Sequence, residues 1–459
     1  MIRISIKLVV FMALAWIALN LSLFGVGDRA DKYFQDVVNT HFWKLLYPYE
    51  PRPEITVLLL TDHVVNTDLQ GHWPASYDFH GRVLKTILGH KPRAVFIDFM
   101  WLSQRARSPD GQFHDGELLL RQLRAFKAAQ IPVYLAYSPA ARENWKELDR
   151  EALVKWVAVP LSFDVSDFVA RIYPPTVGDF NTAAFQIAQD VVNGMFRLQP
   201  TTPMDIVWSA QSNNKNTFWM NPDGHPRTTS WQDILLRGHS GIAVEPPFNT
   251  TLFVRDLLNP VSTSREDAEA QLSSYIEGKI VLYGASLQGV NDWVFTPART
   301  IQPGVFFHAM ALDNLLNWGP KYKSEEGTGT YFIQKHEWIS MLAVLPIALL
   351  CIFFNHIGEG NSNENKQYAK INSLIDWGKK HLILRFTAIT LALLLWFGAV
   401  TFIEVQFLNY SASIAAGYIN FIVAGFFFEC TQTVDRGIKN VIEFWEKVKV
   451  IIIVKTKGG

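Results

Sequence analysis

The chain has 459 residues, with 42 Lys and Arg against 42 Asp and Glu, 49% apolar residues and only 18% charged ones, below the ~25% charged residues typical of soluble domains. The shortfall is concentrated in a few long apolar runs, which excludes a disordered or fibrous chain and points to a membrane protein. Two cysteines, Cys351 and Cys430, exclude a disulfide framework and a cysteine zinc site, and the lack of a broad basic stripe in 27–336 excludes nucleic acid as a partner.

In chain order, residues 1–7 are a short basic start carrying Arg3 and Lys7, followed by an apolar run over 8–26. A cleaved signal peptide shares this charge order, but the run is long and no Ala-x-Ala site follows it; Gly25-Val-Gly27 is a weak substitute. The expectation is an uncleaved anchor. Residues 27–336 are then one large domain with its own core. The segment 55–60 (ITVLLL) reads as a fully apolar strand ending at Thr61-Asp62, and 78–88 places Phe79, Val83, Leu84, Ile87 and Leu88 at helical spacing. A strand over 93–97 ends at Asp98, a helix covers 118–129, and a third strand covers 131–136. Residues 140–274 are less regular and contain Pro174-Pro175 and Pro246-Pro247 turns. A strand over 279–283 ends in Gly284-Ala285-Ser286, and a helix is expected over 304–318. Short apolar strands between amphipathic helices give an α/β fold with a mixed, largely parallel sheet.

Ligands of such sheets gather at the carboxyl ends of the strands. Asp62, Asp98 and Ser286 fall at that edge, with Asp292 on the loop beyond and His308 in the following helix. These five are the candidate ligand-binding residues, since grouped carboxylates suit a cation or a polar ligand. The alternative is that each Asp caps a helix or fixes a turn and that His308 is a satisfied helix-start histidine. No catalytic residue, cofactor or metal site is expected. Gly284-Ala-Ser-Leu-Gln288 fails the G-x-S-x-G elbow at its last position, and no Walker A, G-x-G-x-x-G or H-E-x-x-H occurs.

Three further apolar runs follow, 338–354, 382–403 and 407–428. Each approaches the ~20 residues needed to cross a bilayer as a helix, so the expected total is four transmembrane α-helices. The loop 355–381 carries Lys366, Lys370, Lys379 and Lys380, and the tail 430–459 carries Arg436, Lys439, Lys447, Lys449, Lys455 and Lys457. Basic flanks belong in the cytoplasm, which puts both termini inside and 27–336 outside. In the last run Ala412, Ala416, Asn420 and Ala424 recur every fourth residue beside Ser413 and Gly417, a face that lets another helix approach closely. It fits either packing within the chain or a homo-oligomer contact. In the tail, Val434, Ile438, Val441, Trp445, Val448 and Ile452 form a heptad seam, suited to a dimer or partner coil or to a helix lying on the inner leaflet.

Several of these residues also carry a family resemblance. Gly278-Lys-Ile-Val-Leu-Tyr-Gly-Ala-Ser286, Asp292, Thr296-Pro297, Pro303-Gly-Val-Phe-Phe-His-Ala309 and Leu312-Asp-Asn-Leu-Leu316 resemble the closing signature of the type 2 CHASE domain. Trp73-Pro74 and Ala94-Val-Phe-Ile-Asp98 resemble its early motif and second strand, and 192–197 resembles its D-x-D-G-x-x-R turn without the Asp before Gly194. The resemblance implies an extracellular sensory domain of mixed α/β fold, of the kind carried by bacterial cyclases and kinases, and it transfers no ligand contact. Such chains usually end in a cytoplasmic kinase or cyclase. The stretch after the last run is too short for one, so the expected output is a separate cytoplasmic protein. The competing expectation is a structural or assembly subunit of an envelope complex, and a lesser one an oligomeric channel.

Overall fold

A computed structural model describes Asp36 and residues 51–102, 115–160, 168–192, 196, 200–209, 247–260, 264–287, 292–297 and 301–324. All of them belong to one compact unit, Asp36–Gly329; the other unit comprises Met1–Gln35 and Thr330–Gly459. Among the described residues no helix is long and apolar enough to cross a membrane. The four expected spans, the small-residue face over 412–424 and the seam over 434–452 all lie outside the described residues, as does the turn motif over 193–195.

The chain enters the fold through β1 (Ile55–Thr61), α1 (Asp62–Thr67), α2 (Tyr77–Gly89), β2 (Ala94–Ile97), α3 (Glu117–Ala128), β3 (Val133–Ala136), α4 (Pro139–Asn144), α5 (Lys146–Arg150) and β4 (Lys155–Val157). Short strands β5 (Ile172–Tyr173), β6 (Thr176–Val177) and β7 (Phe180–Asn181) lead to α6 (Ala183–Val191) and β8 (Met204–Asp205). Then come β9 (Thr250–Phe253), α7 (Val254–Leu258), α8 (Arg265–Ile276), β10 (Ile280–Ser286), β11 (Trp293–Phe295), β12 (Ile301–Pro303) and α9 (Gly304–Trp318).

Six strands form the central sheet in the order β4-β3-β2-β10-β1-β9, every neighbouring pair parallel. The two-stranded ladders β5–β8, β6–β7 and β11–β12 are antiparallel. The central strands β1 and β10 are buried on both faces, which is why they read as continuous apolar runs without alternation. Parity sorts their side chains into two layers. Leu58, Leu60, Val95, Ile97, Val281 and Tyr283 share one core with Phe79, Val83 and Leu84 of α2 and Leu119 and Leu123 of α3. On the opposite face Phe96 meets His308 of α9, and the Tyr134 hydroxyl donates to Asp190 Oδ2 of α6 at 2.9 Å.

Helix starts follow from local chemistry. Ser76 Oγ accepts the Phe79 amide at 3.2 Å, capping α2, and Ser264 Oγ accepts the Asp267 amide at 3.1 Å, capping α8. Asp78 Oδ1 accepts the Gly116 and Leu118 amides, both at 3.1 Å, and so ties the start of α3 to the first turn of α2. Helix α9 is buried from Gly304 through Leu315. A helix buried on all sides needs cover on its outer face as well as against the sheet. Asn314 supplies part of it, accepting the Val207 amide at 2.9 Å and donating to Val207 O at 3.1 Å. Trp208 adds more, stacking on Phe307 with centroids 6.4 Å apart.

The strands expected over 55–60, 93–97 and 131–136 and the helices over 78–88, 118–129 and 304–318 are all present, with ends shifted by one or two residues. The strand expected to stop at Tyr283 instead runs on through Gly284 to Ser286, paired with β1 up to Thr61↔Ser286. Inside the stretch read as irregular lie α6, the edge strand β9 and helix α8. Strand β9 is four residues long and gains its identity from pairing with β1, not from its own periodicity.

Candidate functional site

Asp98 follows β2 directly. Its amide donates to Tyr283 O at 2.8 Å, which extends the β2–β10 ladder by one step. By strand parity its side chain follows Phe96 onto the α9 face. The carboxyl group is 10% exposed there, and its Oδ1 lies 3.8 Å from Nε2 of His308, itself 6% exposed. Phe96 presents its ring edge-on to the imidazole, centroids 5.3 Å apart at 76°.

The opposite ring nitrogen of His308 is fixed by Tyr173 of β5. The Ala184 amide, in the first turn of α6, donates to Tyr173 Oη at 3.1 Å, and Oη lies 2.8 Å from His308 Nδ1. The phenol and the imidazole share one hydrogen bond there, and Nε2, the opposite ring nitrogen, faces Asp98. Burial pushes the imidazole down to about 3, so His308 is neutral. At 3.8 Å the contact with Asp98 is longer than a hydrogen bond.

Asp292 completes the group. Its backbone carbonyl accepts the Gly304 amide at 2.8 Å, and its carboxylate packs on Gly304 at the start of α9, where a Cβ would collide with Oδ1. The positive end of the helix macrodipole favours a carboxylate there. Burial first, and the Asp292 charge second, push Asp98 well above the usual carboxylate range. Burial also pushes Asp292 up to about 6. The result is a buried carboxyl pair in which both groups hold their protons more tightly than free carboxylates do, beside a neutral imidazole that offers no compensating charge. Such a pair responds to any cation or hydrogen-bond donor that changes the cost of ionisation.

The structure thus brings Asp98, Asp292 and His308 together. Asp62 and Ser286 occupy the same edge of the sheet: Ser286 ends β10, and Asp62 begins α1 immediately after Thr61, the register partner of Ser286. Among the described residues no group of three or more His, Cys, Asp or Glu is placed to hold a metal ion. A surface groove lined by Phe79, Arg82, Lys85, His90 and Glu269 lies on the α2–α8 layer, where α2 ends and leads into β2. That is the amino edge of the sheet, away from the carboxyl group.

The residue that sequence reading missed is Tyr173. It stands just before Pro174-Pro175 in a stretch without periodicity, and its role arises from a partner 135 positions away. On the other face His80 Nδ1 lies 3.0 Å from Tyr283 Oη, a second buried imidazole–phenol contact also absent from the sequence signals.

The family model of the CHASE2 domain matches residues 9–350. No curated protein and no solved structure matches the chain. The match spans the closing signature, the buried carboxyl pair and His308, and the chain belongs to the CHASE2 domain family.

Proposed function

We propose that this chain is a membrane-anchored sensor. Its α/β domain lies outside the cytoplasm, takes a small polar ligand at the carboxyl edge of the sheet, and passes the change to a separate cytoplasmic output protein. Membership of a family of sensory domains supports the class of function. The observation that carries the site is the buried pair Asp98 and Asp292, whose raised affinity for protons is set by burial and, for Asp98, also by the Asp292 charge. Groups so perturbed are costly to keep in a fold, and they concentrate where ligands are bound. A ligand shifts the balance of two conformations by its difference in affinity for them. Here that difference would come from ionising or replacing the proton on Asp98. The tail seam over 434–452 is the proposed contact with the output protein, and Asp substituted for Trp445 is expected to abolish the response. The test is a thermal-shift screen of the detergent-solubilised full chain against small amines, sugars and wall fragments. A stabilising hit that is lost on Asp98→Asn supports the reading, and failure of every hit to depend on Asp98 or Asp292 removes the site.

A second reading, an assembly subunit of an envelope complex, draws on Phe168 (58% exposed) and Phe295 (37% exposed), brought close by the Val169↔Phe295 bridge. Exposed aromatic rings suit a protein interface. Recovery of a stoichiometric partner, lost when both rings are changed to Ser, distinguishes this reading from ligand sensing.

A further inference from the structure

Resting on the sensor reading, we propose that residues 169–173 are the element that couples the carboxyl pair to the two ends of the domain, those leading toward the expected spans 8–26 and 338–354.

Five consecutive residues reach both acids and both ends. On the side of the acids, the Tyr173 hydroxyl is hydrogen-bonded to His308 Nδ1 at 2.8 Å, and His308 faces Asp98. Val169 bridges Phe295, and the Ala170 amide donates to Phe295 O at 2.8 Å. Phe295 ends β11, the strand that starts immediately after Asp292. The same short segment is therefore tied to Asp98 through a side chain and to Asp292 through the backbone.

On the side of the chain ends, Arg171 grips Asp36 with two parallel bonds, Nε to Oδ1 at 2.7 Å and Nη2 to Oδ2 at 2.8 Å. Both side chains are buried, 6% and 11% exposed. A two-pronged guanidinium–carboxylate pair out of water fixes orientation as well as distance, and losing one partner strands the other charge. The Arg171 carbonyl accepts the Ile206 amide at 2.8 Å, β5 pairs with β8 through Ile172↔Asp205, and the Asp205 amide donates to Lys323 O at 2.8 Å. The Tyr322 hydroxyl adds a bond to Thr202 O at 2.7 Å. Asp36 follows the first expected span and Lys323 precedes the second, so both ends of the domain are fastened to one β5–β8 ladder.

This ladder stands apart from the six-stranded sheet. A shift of β5 need not break any strand pairing of the core, whereas it moves Asp36 and Lys323 together. Release of Tyr173 by a changed His308–Asp98 contact is thus transmitted by rigid bonds to both ends at once.

The experiment is hydrogen-exchange mass spectrometry on the full chain in lipid nanodiscs, with substitutions in place of a ligand. Asp98→Asn is expected to change exchange in peptides containing Asp36 and in peptides containing Lys323 by about fivefold or more, the lower end of measured couplings between sites. In a Tyr173→Phe background the same substitution is expected to leave both peptides unchanged. With Asp36→Asn, Asp98→Asn is expected still to affect the Lys323 peptide but no longer the Asp36 peptide. An Asp98→Asn effect that survives Tyr173→Phe, or one that never reaches either peptide, overturns the proposal. If Tyr173→Phe does not fold, the Asp36→Asn pattern decides alone: loss at Asp36 with retention at Lys323 supports the relay, and any other pattern refutes it. A barren ligand screen would count against sensing and leave these measurements standing, since no ligand enters them.

Discussion

His308 Nε2 and Asp98 Oδ1 lie 3.8 Å apart, within the range of an ion pair but beyond that of a hydrogen bond, and the imidazole is held in that position by Tyr173 from its other nitrogen. Since burial keeps His308 neutral, the two groups do not neutralise each other, and the cost of a charge on Asp98 falls on the fold.

That cost gives stability a pH dependence with a defined sign. Asp292 has its folded pKa raised from 3.8 to about 6. Its contribution is full below about pH 4 and is lost as pH rises through 6; Asp98, also raised, acts in the same direction. His308, lowered from 6.5 to about 3, acts oppositely: its contribution is full above 6.5 and is lost as pH falls toward 3. Denaturant melts of the full chain across pH 4 to 9 are expected to show Asp98→Asn more stable than the parent at pH 9, with a flatter alkaline limb. An unchanged alkaline limb would show that Asp98 is ionised without penalty.

Tyr173→Phe removes one hydroxyl and leaves two buried groups, the Ala184 amide and His308 Nδ1, without their partner. The expected loss is about 1–3 kcal/mol, the cost of unsatisfied buried polar groups. Trading Tyr173 for Phe together with His308→Leu is expected to cost less than the sum of the two single changes, because the pair interacts directly. Additive costs would show that the hydrogen bond does not form.

Gly284 sits where β10 meets α9, and a Cβ there would lie 2.6 Å from the Val305 Cβ. Gly284→Ala is expected to destabilise by about 1–3 kcal/mol through overpacking. Val305→Ala should recover part of the loss by opening the space, measured as the midpoint of denaturant unfolding. A Gly284→Ala protein as stable as the parent would show that the helix stands off the sheet.

Gly304→Ala acts on the acid pair itself, since its Cβ would displace the Asp292 carboxylate from the start of α9. The expected signature is a changed pH profile along with lower stability, whereas Gly284→Ala lowers stability with the profile intact. Identical profiles for both variants would detach Asp292 from the titrating group.

Topology can be checked by single-cysteine labelling in cells after Cys351 and Cys430 are replaced by Ser. A cysteine at Gly194 is expected to react with an impermeant maleimide, and one at Asn363 to be protected until the membrane is opened. The reverse pattern would place the domain inside.

Much of the architecture was legible from residue order alone. Continuous apolar runs such as 55–60 announced strands buried on both faces, and apolar residues at helical spacing announced α2 and α3, because burial periodicity is a local property. The carboxyl-edge position of Asp62, Asp98 and Ser286 followed from strand ends in the same way. Which of them would share a site was decided in three dimensions. Asp98, Asp292 and His308 meet because β2, the β11 hairpin and α9 converge on one face. Tyr173 in its two-residue strand, and Arg171 just before it, have no periodicity to betray them: their partners lie 135 positions away at His308 and Asp36, and a contact over that span depends on chain topology, not on neighbouring residues.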